Sequence, residues 1–170
     1  IKIIIDNSLF SQHLETKNKQ NRFLFIKPKN IQDLMTEVSK TDLGVFVDSG
    51  PFHLAKLYNK KGVLIETSVS SKILLDNYKK IIPVKNHYFS NYCNGPCGLV
   101  DVFQFENHIG CYETNKISFN HIKVLKSFKN LQRWNKNLNN THLFSNPVGC
   151  VKKININNII QLIETQLKES

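Results

Sequence analysis

Apolar runs alternate with segments of helical period along the first half of the chain. Ile1 to Ile5 is an unbroken apolar run before Asp6, which predicts a strand, and Phe23 to Ile26 predicts a second. Asn30 stands where a helix N-cap would, ahead of Ile31, Leu34, Met35 and Val38 at helical spacing. Leu43 to Val47 predicts a further strand, continuously apolar and therefore interior. It breaks at Asp48-Ser49-Gly50, and Pro51 falls at the first position of a helix that Leu54, Ala55 and Leu57 carry to Tyr58. Val63 to Ile65 predicts the next strand. Apolar strands separated by helices predict an α/β fold, a Rossmann-like parallel sheet with flanking helices. The chain opens on a strand at Ile1, with no charged leader before it, and so reads as part of a longer protein.

Beyond residue 85 the pattern loosens. A loop holds Cys93-Asn94-Gly95-Pro96-Cys97, and an aromatic-rich stretch leads to Cys111. From Phe119 to Leu138 a helical wheel puts Val124, Phe128, Leu131, Trp134 and Leu138 on one side and Lys126, Lys129, Arg133 and Lys136 on the other. That pattern predicts a basic amphipathic helix, which either covers a core or docks on an anionic lipid surface. An Asn-rich loop, Asn137 to Pro147, precedes a closing helix capped by Asn155 or Asn157, with Ile159, Ile160, Ile163 and Leu167 as its apolar stripe.

Composition narrows the classes. The chain has 170 residues, 41% hydrophobic and 21% charged, which suits a folded domain with a core and excludes a disordered or collagenous chain. No apolar run reaches the roughly 18 residues of a membrane span, so a cytoplasmic location is expected. Lys and Arg outnumber Asp and Glu by 23 to 13, and no acidic residue lies between Glu113 and Glu164. The field favours anionic partners. With Arg22 and Arg133 as its only arginines, however, the chain lacks the bidentate groups that read DNA bases, and no specific nucleic-acid partner is expected.

Two sets of residues could carry chemistry. At Asp48-Ser49-Gly50-Pro51-Phe52-His53 a buried strand feeds a helix start, where backbone N–H groups gather at the carboxyl edge of the sheet and suit a phosphate. Gly50 would let an oxyanion approach, Ser49 offers a hydroxyl and His53 a ring. Simple capping by Asp48 or Ser49 uses the same orphan amides and fits equally. The second set is Cys93, Cys97, Cys111 and Cys150, spaced C-x3-C-x13-C-x38-C. These are either packed thiols or, with His87 or His108 as substitutes, ligands of a zinc ion.

The segment Leu43-Gly-Val-Phe-Val-Asp-Ser-Gly-Pro-Phe-His-Leu-Ala55 resembles the hallmark of glycosyltransferase family 9, the ADP-heptose:lipopolysaccharide heptosyltransferase group: an apolar strand, Asp-(Ser/Thr)-Gly, two residues, then His-Leu-Ala. Lys29 to Leu34, the Cys93–Cys97 loop and Cys150 to Leu167 resemble further family segments in order, so the likeness spans residues 1–111 and 148–168. It implies the C-terminal half of a GT-B glycosyltransferase. Residues 1–111 would be a Rossmann-like nucleotide-sugar domain truncated at its start, 112–147 a basic insertion, and 148–170 a helix packed on the domain. Asp48, Ser49, Gly50 and His53 would bind the diphosphate and sugar of the donor, and Lys29 would lie beside the nucleobase. The catalytic base would belong to the other domain, and Glu15 stands as a candidate for the family's acidic residue after the first strand. No metal would be needed in that site, and the acceptor would be lipopolysaccharide or another glycan at the inner face of the inner membrane. Glu66-Thr67-Ser68 departs from the family's Gly-led turn, and a carboxylate there would repel a diphosphate. Two rival readings are a non-catalytic module of the same fold and a basic zinc- or RNA-binding protein.

Overall fold

A computed structural model describes residues 1–5, 22–99, 103–105, 108–116, 131–133 and 149–168, with backbone alone described at 103–105, 108–109 and 131–133. Strands β1 (Lys2–Ile4) and β2 (Leu24–Ile26) pair in parallel from Lys2↔Leu24 to Ile4↔Ile26. Helix α1 (Ile31–Ser39) follows, and Asn30 caps it as its position predicts. The Asn30 side chain accepts from the Asp33 amide at 2.9 Å, and the Lys29 amide donates back to the Asp33 carboxylate at 3.1 Å.

The central layer is a three-stranded parallel sheet, β3 (Leu43–Phe46), β4 (Lys61–Ile65) and β5 (Ile81–Val84), in chain order. Its crossovers run through α2 (Gly50–Leu57) and α3 (Ser71–Leu75). On one face Phe46, Leu64 and Ile81 meet Val38 of α1, Phe52 and Ala55 of α2, and Leu74 and Leu75 of α3. On the other, Val63 and Val84 meet Ile159 of the closing helix α6 (Ile156–Lys168), with Ile65, Leu162 and Ile163 at the margin. Helices on both sides of parallel strands define an α/β layer.

The interior strand is β4, whose Gly62, Val63 and Leu64 are all buried, and not the Leu43–Val47 segment expected there. Strand β3 ends at Phe46 and, among the described residues, stands at the end of its ladder, paired to β4 alone. The cause is visible on the α6 side. That helix is seated on β4, and Val45, at the sheet's margin, keeps 48% of its surface exposed, with Val47 at 46%. A continuous apolar run cannot tell an interior strand from one with a single covered face.

The same layer is stitched by side chains that reach backbone. Lys56 donates to the Leu74 carbonyl at 2.5 Å with its ammonium 5.6 Å from the Phe52 ring centre, Tyr78 donates to the Lys60 carbonyl at 2.8 Å, and Gln166 of α6 donates to the Lys80 carbonyl at 3.1 Å. Each reaches a carbonyl at or beside a helix or strand end, and the Lys80 carbonyl also accepts from the Gly62 amide at 3.1 Å.

A second sheet is antiparallel, with β6 (Phe103–Phe105) between β7 (His108–Gly110) and β8 (Leu131–Arg133). Short helices α4 (Tyr112–Asn115) and α5 (Gly149–Lys152) accompany it. The strand at Leu131–Arg133 overturns the expected helix at those residues, because their backbone bonds across to Phe103–Phe105 instead of along a helix. Three residues of apolar-polar-basic character fit either period, and the tertiary pairing decides. The rest of that expected helix, with Lys126, Lys129 and Lys136, lies outside the described residues, as does Glu15.

Glycines make the central pairing possible. Gly44 and Gly62 are partners across β3 and β4, and the Phe46 ring lies over both. A Cβ on Gly62 would strike the Gly44 carbonyl oxygen and come within 2.7 Å of the Phe46 ring. Gly62→Ala should therefore cost about 1–3 kcal/mol, the usual range for overpacking a tight site. Urea unfolding would measure it, and an unchanged midpoint would refute this account of the sheet.

Candidate functional site

The chain leaves β3 through Val47 and Asp48 and enters α2 at Gly50, with Pro51 in the first turn, where a missing N–H costs nothing. Ser49 holds the N-cap position in extended backbone but does not act as a cap. Its side chain makes no bond to the first turn, and its hydroxyl donates backward to the Val47 carbonyl at 3.0 Å. Asp48 turns toward the helix, with a carboxylate oxygen 3.4 Å from His53 Nε2. The imidazole stands edge-on to Phe52, ring centres 5.0 Å apart, and Phe52 is wholly buried. An anchored core residue thus fixes the ring while the His53 side chain keeps 56% of its surface exposed.

Nothing lies within 4 Å of the place a Cβ on Gly50 would occupy. The Cβ direction of Gly50 is therefore clear of the described residues beyond its own neighbours, and the Ser49 side chain makes no bond to the first-turn amides. The structure brings Asp48, Ser49, Gly50 and His53 together as one unit at the carboxyl end of a parallel strand. A hydroxyl, an imidazole, a carboxylate and a helix start can together hold an anion and orient hydroxyls beside it. Lys29 is placed differently. It is exposed and braced through its backbone at the start of α1, a helix that packs against α2.

Glu66 ends β4, next to the end of β3, and only 6% of its surface is exposed. Its two carboxylate oxygens accept from the Ser71 amide at 2.5 Å and the Asn86 amide at 2.7 Å. The Asn86 side chain in turn donates to the Thr67 carbonyl at 2.5 Å and accepts from the Tyr88 amide at 3.0 Å. This carboxylate is an internal anion holding two loops together. The sequence carries a signal for it, a Glu between an apolar strand and a Ser-Ser helix start, and the structure turns that carboxylate inward onto amides of its own chain. Burial by itself would raise its pKa, yet the hydrogen bonds from Asn86 and Ser71, with Lys85 nearby, hold it below the ordinary 4.5.

The four cysteines are free, Cys93 buried and the other three half-buried. Burial and the neighbouring thiols push Cys93 up to about 12, and burial raises Cys150 as well. Among the described residues no three His, Cys, Asp or Glu side chains stand in coordinating geometry. His87 is exposed, and the side chains of His108 and Arg133 lie outside the described residues. Among the described residues no helix is long and apolar enough to cross a membrane.

Comparison with protein-family models, with curated proteins and with solved structures returns no match. The class defined by fold and site is therefore an α/β domain with an open helix start at the carboxyl edge of its parallel sheet.

The depressed Glu66 value has a defined sign. Its stabilisation is complete above the unfolded value near 4.5 and is lost as pH falls through the lower folded value. Glu66→Gln should destabilise at neutral pH by about 1–3 kcal/mol, the cost of a buried amide left without its acceptor. The gap from wild type should close as thermal melts are repeated from pH 7 down past 4.5. A constant gap across that range would contradict the role given to this carboxylate.

Proposed function

We propose that the chain is the donor-binding portion of a glycosyltransferase resembling family 9, half of a GT-B enzyme that moves a sugar from a nucleoside diphosphate to a lipopolysaccharide or other glycan acceptor. The observation that carries the reading is the open turn: Gly50 with empty space before it, and Ser49 bonded away from the helix start. A diphosphate seated there would accept from the first-turn amides and from His53. Charge developing on the leaving diphosphate would meet preorganised dipoles, so no metal is required at this place. The carboxylate of Asp48 would hold the imidazole in place, and a protonated His53 would offset the charge of Asp48 beside the anion. Lys29 would flank the nucleobase. The catalytic base would come from the partner domain of the GT-B cleft, in the cytoplasm near the inner membrane.

Glu66 favours a second reading, a non-catalytic module of the same fold. Its carboxylate already occupies the amides of Ser71 and Asn86 at the carboxyl edge of β4. Those amides are unavailable to a phosphate.

Calorimetric titration of ADP-, GDP- and UDP-sugars against the full enzyme separates the two. Gly50→Val should abolish binding with little change in melting temperature, since its Cβ meets nothing in the folded chain. His53→Ala should weaken binding by about 1.5–3 kcal/mol, the range for one charge-assisted hydrogen bond. Binding retained in Gly50→Val refutes the assigned pose. Absence of binding by wild type moves the assignment to the non-catalytic module.

A further inference from the structure

Cys93 and Cys97 lie in the loop after β5, Cys111 at the start of α4 and Cys150 in α5, on three distant stretches of chain. Contacts that involve no sulfur draw the same segments to one place. The Ser90 hydroxyl is hydrogen-bonded to the Glu113 carboxylate and accepts from the Tyr92 and Cys93 amides, each at 3.0 Å, which ties the Cys93 turn to α4. A Cβ on Gly149 would lie 3.3 Å from the Glu113 side chain and 3.9 Å from the Tyr88 ring, which sets the start of α5 on the same spot. Within this knot the thiols interact electrostatically, Cys93 with Cys97, Cys111 and Cys150, and Cys150 with Cys111 and Cys97.

Among the described residues the region has no apolar core of its own. Neither apolar cluster contains a residue between 85 and 116, and among the described residues there Cys93 is the one buried hydrophobic side chain. Loop-rich segments without a core are held by disulfides or by a metal. Here the thiols are free, and four of them match the ligand number of a tetrahedral soft cation.

We propose that Cys93, Cys97, Cys111 and Cys150 form a structural site for one zinc-class divalent cation that staples the loop after β5 to α4 and α5. The thiols do not stand in coordinating geometry, so side-chain rotation must close the site to metal–sulfur distances of about 2.3 Å. Binding would release the four thiol protons to solvent and leave a doubly negative metal–thiolate centre. A group suited to its outer shell is present: Thr114 Oγ1 is 3.3 Å from Cys111 Sγ. Lys116, Lys152 and Lys153, adjacent in sequence to α4 and Cys150, supply compensating charge. The centre lies apart from the turn at Asp48 to His53 and does not depend on the glycosyltransferase reading.

The test is elemental analysis of the full protein purified without chelator under a non-thiol reductant. Zinc stoichiometric with chain is expected, released in step with mercurial titration of the thiols. Because Cys→Ser variants may fail to fold, cobalt exchanged into wild type provides the second measurement. It should show sulfur-to-metal charge transfer and the strong visible bands of a tetrahedral thiolate site, and Cys150→Ser should weaken both where it folds. Metal-free protein that takes up no cobalt and melts at the same temperature with and without zinc overturns the proposal. A disulfide between any two of the four in the natively prepared chain also overturns it.

Discussion

The close approach of β3 to β4 beneath the Phe46 ring is the constraint on which the rest depends. Gly44 and Gly62 face each other across the ladder, and their missing side chains leave the space the ring fills. Phe46 then meets Phe52, ring centres 6.1 Å apart, and Phe52 meets His53. Sheet pairing therefore sets the position of α2, and α2 sets the position of the imidazole. A bulkier residue at 62 would move the strand pair first and the candidate site second.

At the carboxyl edge of the same sheet, two strand ends handle negative charge in opposite ways. Glu66, after β4, is an anion supplied by the chain itself and satisfied by two backbone amides. The turn after β3 has no such internal anion over its helix start, since Ser49 bonds backward and Asp48 bonds to His53. An amide group without an internal acceptor at an exposed helix start is energetically cheap in water and gains from a phosphate. One edge thus holds a closed anion site and an open one side by side, and the difference between them underlies the proposed selectivity for where a diphosphate would sit.

What could be read from the residues was local. Asn30 caps α1 because capping needs only the next three residues, and Pro51 marks the start of α2 for the same reason. Strand β5 went unread because Ile81-Ile82-Pro83-Val84 contains a proline. The sheet order explains its presence, for β5 lies at the edge of its ladder, where a missing N–H is tolerated. The end position of β3 was equally hidden, because periodicity reports a face and not a neighbour. The strand at Leu131–Arg133 defeated a helical wheel through pairing with residues almost thirty positions away. Of the candidate site, residue types and order were legible, whereas the backward turn of the Ser49 hydroxyl and the electrostatic interaction among the thiols were not. Both depend on contacts that spacing does not encode.

The two halves of the described structure are stabilised by different means. The parallel layer buries apolar side chains on both faces, and its strands and helices need no further ligation. The region from the loop after β5 through α4 and α5 is joined by polar contacts such as Ser90 with Glu113, and its four thiols are free. Asn86 joins them: its amide and side chain serve the Glu66 loop on one side, and on the other its side chain lies so close to Gly95, between Cys93 and Cys97, that a Cβ there would strike it. Order in the thiol region is thereby coupled to the loop beside the candidate site, through one side chain that both must share. The Gly95 backbone packed on Asn86 holds that residue in place, and the Asn86 amide in turn holds the Glu66 carboxylate inside the protein.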